Sequence, residues 1–252
     1  MPVIVADDTA DPALAARTDA ALAPHPAARR LAVEETRGAP FSIGRMRDLG
    51  AAAAETRHVL FHDVDFAAPR AVYDGLAGLA AAPPFADDPA AFACLPVWFL
   101  NRAGLLAWRA APGAVWAHLR RAGGGSSPLA NRLVRGSSAM LVARDHLAAL
   151  GGHSDAFEGH GAEDFELLHR LARARPLGPP PPDYARDYGS RDRGEAGFRA
   201  YFARAAAEPL ARGLVMAHLW HAPRREDARY YAARKRNFDR LETMLRDDMN
   251  DR

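Results

Sequence analysis

The sequence contains one cysteine, one lysine and no long apolar run. Cys94 excludes an intramolecular disulfide, and its place in the apolar stretch AFACLPVWFL is typical of a small core residue in a reducing compartment. No run of about 18 apolar residues predicts a membrane-spanning helix, and the N-terminus has no charged-then-apolar signal. These absences predict a cytoplasmic protein, with peripheral attachment to the inner face of a membrane left open.

The sequence also has no marked excess of positive or negative charge. The 33 Lys and Arg residues nearly balance the 31 Asp and Glu residues, for a formal net charge of +2, and Lys235 is the sole lysine. This balance, with no compact basic block, disfavours nucleic acid as a partner. With 252 residues, 49% of them hydrophobic and 25% charged, the chain is long enough for one large globular domain.

The first part of the chain alternates short apolar strands with helical segments. The strands are predicted over residues 2–8, 29–35 and 58–66, and the helices over 11–23, 43–55 and about 69–81. Asp11-Pro12 is a typical helix start, and Pro69 suits a first helical turn. This order predicts a doubly wound α/β sheet with right-handed crossovers, in which ligands bind beyond the carboxyl ends of the strands.

The second part of the chain is less regular. We expect strands over 91–101, 139–143 and 214–220, helices over 113–122, 145–152, 162–174 and 198–208, a loop over 121–138, and a long amphipathic helix over about 226–246. Residues 176–197 contain four consecutive prolines, which exclude a regular helix or strand there. This segment is too long for an ordinary connection, so both a disordered excursion and a functional lid stay open.

The stretch HVLFHDVDF ends an apolar run with two carboxylates, Asp63 and Asp65. On an extended strand both would lie on one side, about 7 Å apart, where they would repel each other unless a positive charge were close. Either this strand end faces water and the pair is incidental, or a cation completes it. Asp7 and Asp8 also end a predicted strand, which favours a ligand site.

Two further clusters carry candidate chemistry. Glu163 and Asp164 in GHGAEDFELLHRL could simply cap a helix, and His218 and His221 could be structural or surface histidines. Taken with the aspartates, however, carboxylate and imidazole groups suit a divalent ion and favour Mn²⁺ over Mg²⁺. Such an ion bridges phosphates, neutralises a leaving diphosphate and leaves a nearby acid free to act as a base.

The ordered stretches FSIGRMRDLGAAAAETRHVLFHDVDFAAP, GGHSDAFEGHGAEDFELLHRL and HLWHAP resemble glycosyltransferases of the GT-A fold. The resemblance is to bacterial capsule-type family-2 enzymes and the related β-1,4-galactosyltransferase-like group. It covers residues 2–8, 41–69, 136–171 and 214–223. It implies a mostly parallel mixed sheet flanked by helices. It also implies a further β-α unit ahead of VIVADD, which this sequence lacks.

The resemblance implies a role for each matching residue on the donor side. Asp8 would contact the nucleobase, and Arg45 or Arg47 would lie near the nucleotide diphosphate or its sugar. Asp63 would bind the ribose or the sugar, and Asp65 would bind the metal ion.

On the acceptor side, Asp164 would be the general base, and Glu163 would hold donor or acceptor hydroxyls. His221, with His218, would complete the metal shell, and His160 takes the place of the family's tryptophan, which stacks on a sugar. A carboxylate base fits inverting displacement at the anomeric carbon.

Two more positions depart from the family pattern. The family's G-G-F-D-E is Gly151-Gly152-His153-Ser154-Asp155 here, and its R-N is Arg47-Asp48.

The resemblance divides the single domain, 1–252, into a nucleotide- and sugar-binding core over 1–175, a flexible Pro-rich loop over 176–197 and a C-terminal segment over 198–252 with the metal-binding strand and the long helix. The loop is expected to close over the donor.

These implications give one leading hypothesis and two alternatives. The leading hypothesis is a metal-dependent inverting transferase that moves a sugar from a nucleotide sugar, UDP-linked for preference, to a capsule, exopolysaccharide or lipopolysaccharide acceptor. The first alternative is a catalytically impaired module that binds sugar nucleotide or a partner polymerase, motivated by the missing β-α unit. The second, a nucleotidyltransferase, is disfavoured because VIVADDTADP lacks a glycine-rich basic phosphate loop.

Overall fold

The computed structural model describes residues 1–34, 41–189, 196–222 and 232–250. The fold is mixed α/β, as predicted. The strands are β1 Val3–Asp7, β2 Ala28–Ala32, β3 His58–Leu60, β4 Phe66–Ala67, β5 Phe92–Cys94, β6 Val97–Leu100, β7 Ala130–Val134, β8 Met140–Ala143 and β9 Met216–His218.

The strands form three sheets within the described residues, in the orders β1-β2, β3-β8-β5 and β4-β9-β6-β7. The pairs β1–β2 and β6–β9 are parallel, whereas β3–β8, β5–β8, β4–β9 and β6–β7 are antiparallel. The expectation of a mostly parallel sheet is therefore wrong for the part of the chain that is described. The reason is that late strands return between early ones: β8 runs back between β3 and β5, and β9 runs between β4 and β6.

Helices cover the sheets and connect their strands. They are α1 Pro12–Leu22, α2 Ile43–Ala52, α3 Arg70–Ala80, α4 Arg102–Ala110, α5 Pro112–Ala122, α6 Arg144–Ala149, α7 Glu163–Ala174, α8 Gly197–Phe202, α9 Ala207–Ala211 and α10 Arg234–Asn250, with a 3₁₀ turn at Ala203–Ala206. Asp11 caps α1 as predicted, accepting the Ala13 N–H at 2.8 Å. The predicted start of the last helix at 226 lies outside the described residues. None of the described helices is both long and apolar enough to cross a membrane.

Two sequence predictions are wrong in the middle of the chain. The single strand predicted over 91–101 is broken at Leu95-Pro96 into β5 and β6, which belong to different sheets. Pro96 has no N–H to donate to a ladder, so the chain changes sheets there. The loop predicted over 121–138 contains β7, which pairs with β6.

Buried aliphatic and aromatic residues fix the position of α7. Leu167, Leu168 and Leu171 on this helix are fully buried, and Phe198 and Phe202 of α8 belong to the same core cluster. The helix is therefore held between the sheet and the C-terminal helices. Its N-terminus, which carries two candidate site residues, has a fixed position.

The described part of the Pro-rich segment, 176–189, contains no helix or strand, as predicted. It is nevertheless packed: Tyr184 is buried, and its hydroxyl lies 2.8 Å from Nδ1 of His169 on α7. Asp187 accepts a hydrogen bond of 2.5 Å from Arg199 on α8. Residues 190–195 lie outside the described part, so the flexible loop that closes over a donor stays a prediction.

A tight approach between α4 and the sheet gives a first stability prediction. A Cβ added at Gly104 would lie 2.0 Å from the carbonyl oxygen of Leu129, so the backbone would have to move. We expect Gly104→Ala to lower the free energy of unfolding by about 1–3 kcal/mol in urea denaturation. The control is Gly78→Ala on α3, where the added methyl meets nothing within 4 Å. We expect that change to stabilise by up to about 1 kcal/mol, and equal losses for both variants would contradict the prediction.

Candidate active site

Asp63 and Asp65 occupy a turn between two strands. Strand β3 ends at Leu60, and the Phe66 N–H donates to the Asp63 carbonyl at 3.0 Å, closing the turn around Val64. The prediction that both carboxylates lie on one side of a single strand is therefore wrong. Because the chain reverses between them, each carboxylate meets its own set of partners.

Asp65 meets the two C-terminal histidines. Strand β4 pairs with β9 so that Phe66 lies opposite His218, and the Leu219 N–H donates to the Asp65 carbonyl at 2.8 Å. This pairing places Oδ2 of Asp65 3.3 Å from Nε2 of His218 and 3.2 Å from Nε2 of His221. Three candidate ligand atoms therefore lie within 4.8 Å of one another, although 153 residues of sequence separate Asp65 from His218.

These three ligand atoms fit a divalent ion. Metal bonds of about 2.0–2.2 Å place neighbouring ligand atoms about 3 Å apart, close to the separations seen here. Burial opposes ionisation of Asp65, but the hydrogen bond from His218 and the charges of both histidines outweigh it and lower the pKa of this carboxyl. His218 is stacked on Phe99 with 4.3 Å between the ring centroids, which fixes its orientation. We name Asp65, His218 and His221 the candidate metal cluster.

Glu163 and Asp164 begin α7 at the end of a strained loop. The Gly159 N–H donates to the Phe41 carbonyl at 2.9 Å, and Gly161 and Ala162 have φ angles of +102° and +76°. A left-handed conformation at a non-glycine residue such as Ala162 is typical of functional sites. The helix dipole favours the two acids in this first turn, and Glu163 Oε2 accepts the Gly161 N–H at 2.8 Å.

Arg47 links the acids of the turn to those of α7. Its guanidinium donates to Asp164 at 2.5 Å and to Asp63 at 2.7 Å, and it lies 3.8 Å from Glu163. The Ser138 hydroxyl donates to the second oxygen of Asp63 at 2.8 Å. Burial alone would lower the pKa of Arg47, but the surrounding acids raise it, so the guanidinium keeps its charge.

This environment raises the pKa of Asp164 to near neutrality. Burial raises its pKa to about 7 against the opposing effect of the Arg47 charge, and the neighbouring Glu163 adds to the rise. Burial also raises the pKa of Glu163. A carboxyl that titrates near neutral pH is suited to take a proton from a substrate hydroxyl.

The remaining predicted site residues are His160, Asp8 and Arg45. His160 lies in the loop before α7, where burial first and the charges of Arg234 and Arg47 next lower its pKa to about 4, so the ring is neutral. Asp8 directly follows β1, and Arg45 is exposed on α2. The structure thus assembles Asp63, Glu163 and Asp164 around Arg47, and Asp65 with the histidines, while the roles of Asp8 and Arg45 stay predictions.

A further pair next to this site was not predicted. Nδ1 of His153 lies 2.7 Å from Oδ1 of Asp48, and the His153 backbone N–H donates to Oδ2 of the same carboxylate at 2.8 Å. Nε2 of His153 lies 4.0 Å from Oδ1 of Asp164. The signal was available in the sequence, because both residues are departures from the family pattern, but only the fold shows that they touch.

A comparison with known protein families shows which family matches this chain. Residues 25–246 match the family described as "Glycosyltransferase like family 2". The chain belongs to this glycosyltransferase family. The match spans both residue groups, and the fold is consistent with a GT-A enzyme that transfers a glycosyl group. Such enzymes generally use a nucleotide-sugar donor, a glycan acceptor and a divalent ion. The chain has no significant match among curated proteins or among solved structures.

Proposed function

We propose that this glycosyltransferase is a metal-dependent, inverting enzyme that moves a sugar from a nucleotide-diphosphate sugar, UDP-linked for preference, to a glycan acceptor. The observation that carries the proposal is the hydrogen-bonded chain Asp63–Arg47–Asp164, because it joins a carboxyl with a pKa of about 7 to the turn that contains Asp65. Capsule, exopolysaccharide or lipopolysaccharide synthesis at the inner face of the membrane, with polysaccharide-assembly partners, is part of the proposal and rests on the resemblance alone.

The candidate metal cluster serves the donor side. Asp65, His218 and His221 would hold the ion through one oxygen and two nitrogens. When bound, a divalent ion of the Mn²⁺ class neutralises the charge that develops on the leaving diphosphate. Asp63 accepts from Arg47 and Ser138, and a carboxylate has about four lone-pair positions, so it keeps acceptor capacity for the hydroxyls of the donor.

The carboxylates of α7 serve the acceptor side. Asp164 takes the proton of the attacking hydroxyl as the new bond forms between that oxygen and the anomeric carbon. The bond from this carbon to the diphosphate oxygen breaks on the opposite face, so the configuration inverts and the electron pair leaves with the nucleotide. Glu163 holds a substrate hydroxyl beside this reaction, and proton removal by Asp164 is worth about 10²–10⁴-fold in rate.

The proposal is tested by measuring nucleotide release from a panel of UDP-, GDP- and dTDP-sugars with Mn²⁺, before and after EDTA. We expect release from at least one sugar nucleotide, its loss in EDTA and its return with excess Mn²⁺. Failure to bind or turn over any sugar nucleotide would overturn the proposal, and so would an Asp65→Ala variant that behaves like the wild type.

The metal cluster gives a quantitative prediction. We expect His221→Gln to raise the Mn²⁺ concentration for half-maximal activity by about 10–100-fold, because one of three ligand atoms is lost. The matched control is His118→Gln, since this histidine lies on α5 and meets Ser127 at 3.0 Å. Identical Mn²⁺ titrations for His221→Gln and the wild type would exclude His221 as a ligand.

A further inference from the structure

His153 is a buried histidine with one nitrogen that has no hydrogen-bond partner in the described part of the chain. Its side chain is 2% exposed, and Nε2 is the atom without a partner. A buried polar atom without a partner is costly, so it requires an explanation. Oδ1 of Asp164 lies 4.0 Å from this nitrogen.

The surroundings of His153 hold this orientation. Asp48 accepts from both the backbone N–H and the ring Nδ1 of His153, so the neutral ring carries its proton on Nδ1 and its lone pair on Nε2. Two glycines make room for the pair. A Cβ at Gly44 would lie 2.7 Å from the His153 Cβ, and one at Gly152 would lie 2.5 Å from Asp48 Oδ2. The contact between His153 and Asp48 is therefore built into the backbone of α2 and of the loop after α6.

We infer that His153, oriented by Asp48, is a positioning residue that takes the acceptor's proton from Asp164 and returns this base to its ionised form. The inference rests on the proposed function of Asp164. The O–H bond on Asp164 breaks as an N–H bond forms on Nε2, and the imidazolium then lies between the carboxylates of Asp48 and Asp164. One proton then leaves the ring by way of the 2.7 Å contact between Nδ1 and Asp48, whose side chain is 18% exposed to solvent.

The distance of 4.0 Å must close by about 1 Å for this transfer. Hydrogen bonds of catalytic groups are often long without substrate and tighten in the reacting complex. The other groups that face Asp164 are Arg47 of α2, Glu163 of α7 itself, Asp63 of the turn and the Cys94 thiol of β5. His153 offers a ring nitrogen that has no hydrogen-bond partner in the described part of the site, whereas burial raises the pKa of the Cys94 thiol to about 12.

The kinetic test uses His153→Gln and the double variant Asp48→Asn/His153→Phe. The double variant removes the carboxylate and the imidazole together, and it places the residues of the family pattern at both positions. We expect kcat to fall about 10–100-fold in both variants with little change in KM. We also expect the acid limb of the pH profile to shift, because Nε2 of His153 faces Oδ1 of Asp164 at 4.0 Å. A double variant of unchanged thermal stability with wild-type kcat and pH profile would overturn the inference.

A spectroscopic measurement keeps the test independent of turnover. In ¹⁵N spectra of the imidazole, we expect the neutral ring of His153 to carry its proton on Nδ1, and we expect Asp164→Asn to shift the Nε2 resonance, because this nitrogen faces Asp164. A neutral Nε2–H tautomer, or an Nε2 resonance unchanged by Asp164→Asn, would overturn the inference. Because these spectra need no sugar nucleotide, their failure is distinguishable from failure of the proposed function.

Discussion

An Asp164→Asn variant is expected to lose about 10²–10⁴-fold in kcat while it still binds the donor nucleotide and Mn²⁺. The amide keeps the size of the carboxyl group and can still accept a hydrogen bond from Arg47, but it cannot take up a proton from the acceptor hydroxyl. The candidate metal cluster lies on other segments, the turn before β4, strand β9 and the residues just after β9, so its ligands are unchanged. Steady-state kinetics and nucleotide binding by calorimetry would separate the two effects.

The wild-type pH profile follows from the same group. With a pKa of about 7, Asp164 is largely protonated at pH 6 and largely ionised at pH 8, so kcat/KM is expected to rise as pH increases through this range. The Asn variant has no such group, so its residual activity should lack this rise. The control is Asp155→Asn, an exposed acid in the loop before α7, for which we expect wild-type kcat and pH profile. Wild-type turnover in Asp164→Asn would exclude Asp164 as the base.

The second large effect is expected at Arg47. Replacement by methionine keeps the length of the side chain but leaves Asp63, Glu163 and Asp164 close together without their shared cation. Removing one partner from a buried charge network typically costs about 3–5 kcal/mol, since the remaining charges are unpaired. We therefore expect Arg47→Met to lower the free energy of unfolding by this amount, measured in urea, and to abolish nucleotide release.

Arg45→Met is the matched control for stability, because Arg45 lies on the same helix two residues earlier and is exposed. We expect its free energy of unfolding to stay within about 0.5 kcal/mol of the wild type. Arg47→Lys tests the geometry: it restores the charge, but a lysine ammonium lacks the planar fork that reaches two carboxylates at once. Equal urea midpoints for Arg47→Met and Arg45→Met would contradict a central role for Arg47.

Several features of the fold and site followed from the sequence because their signals are local. Asp11-Pro12 starts α1, the glycines after Leu150 follow the end of α6, and the acids of GAED begin α7. These features depend on capping, φ preference and the helix dipole, which act over a few residues. The ordered motifs also led to the glycosyltransferase family, which the match over residues 25–246 confirms.

Features set by contacts between distant segments did not follow from the sequence. The turn at Val64 sends Asp63 and Asp65 to different partners, and the break at Pro96 moves β6 into a second sheet. Sequence spacing alone treats an extended run as one strand, whereas pairing with β8 and β9 decides where each strand ends.

The sequence by itself therefore determined which groups are present for chemistry: the acids of the DVD turn and of α7, and the two late histidines. Only the tertiary structure decided how they combine. The pairing of β4 with β9 joins Asp65 to the histidines, and the burial of Arg47 joins Asp63 to Asp164. Burial also sets the pKa of Asp164, because desolvation depends on the whole surrounding protein and not on neighbours in the sequence.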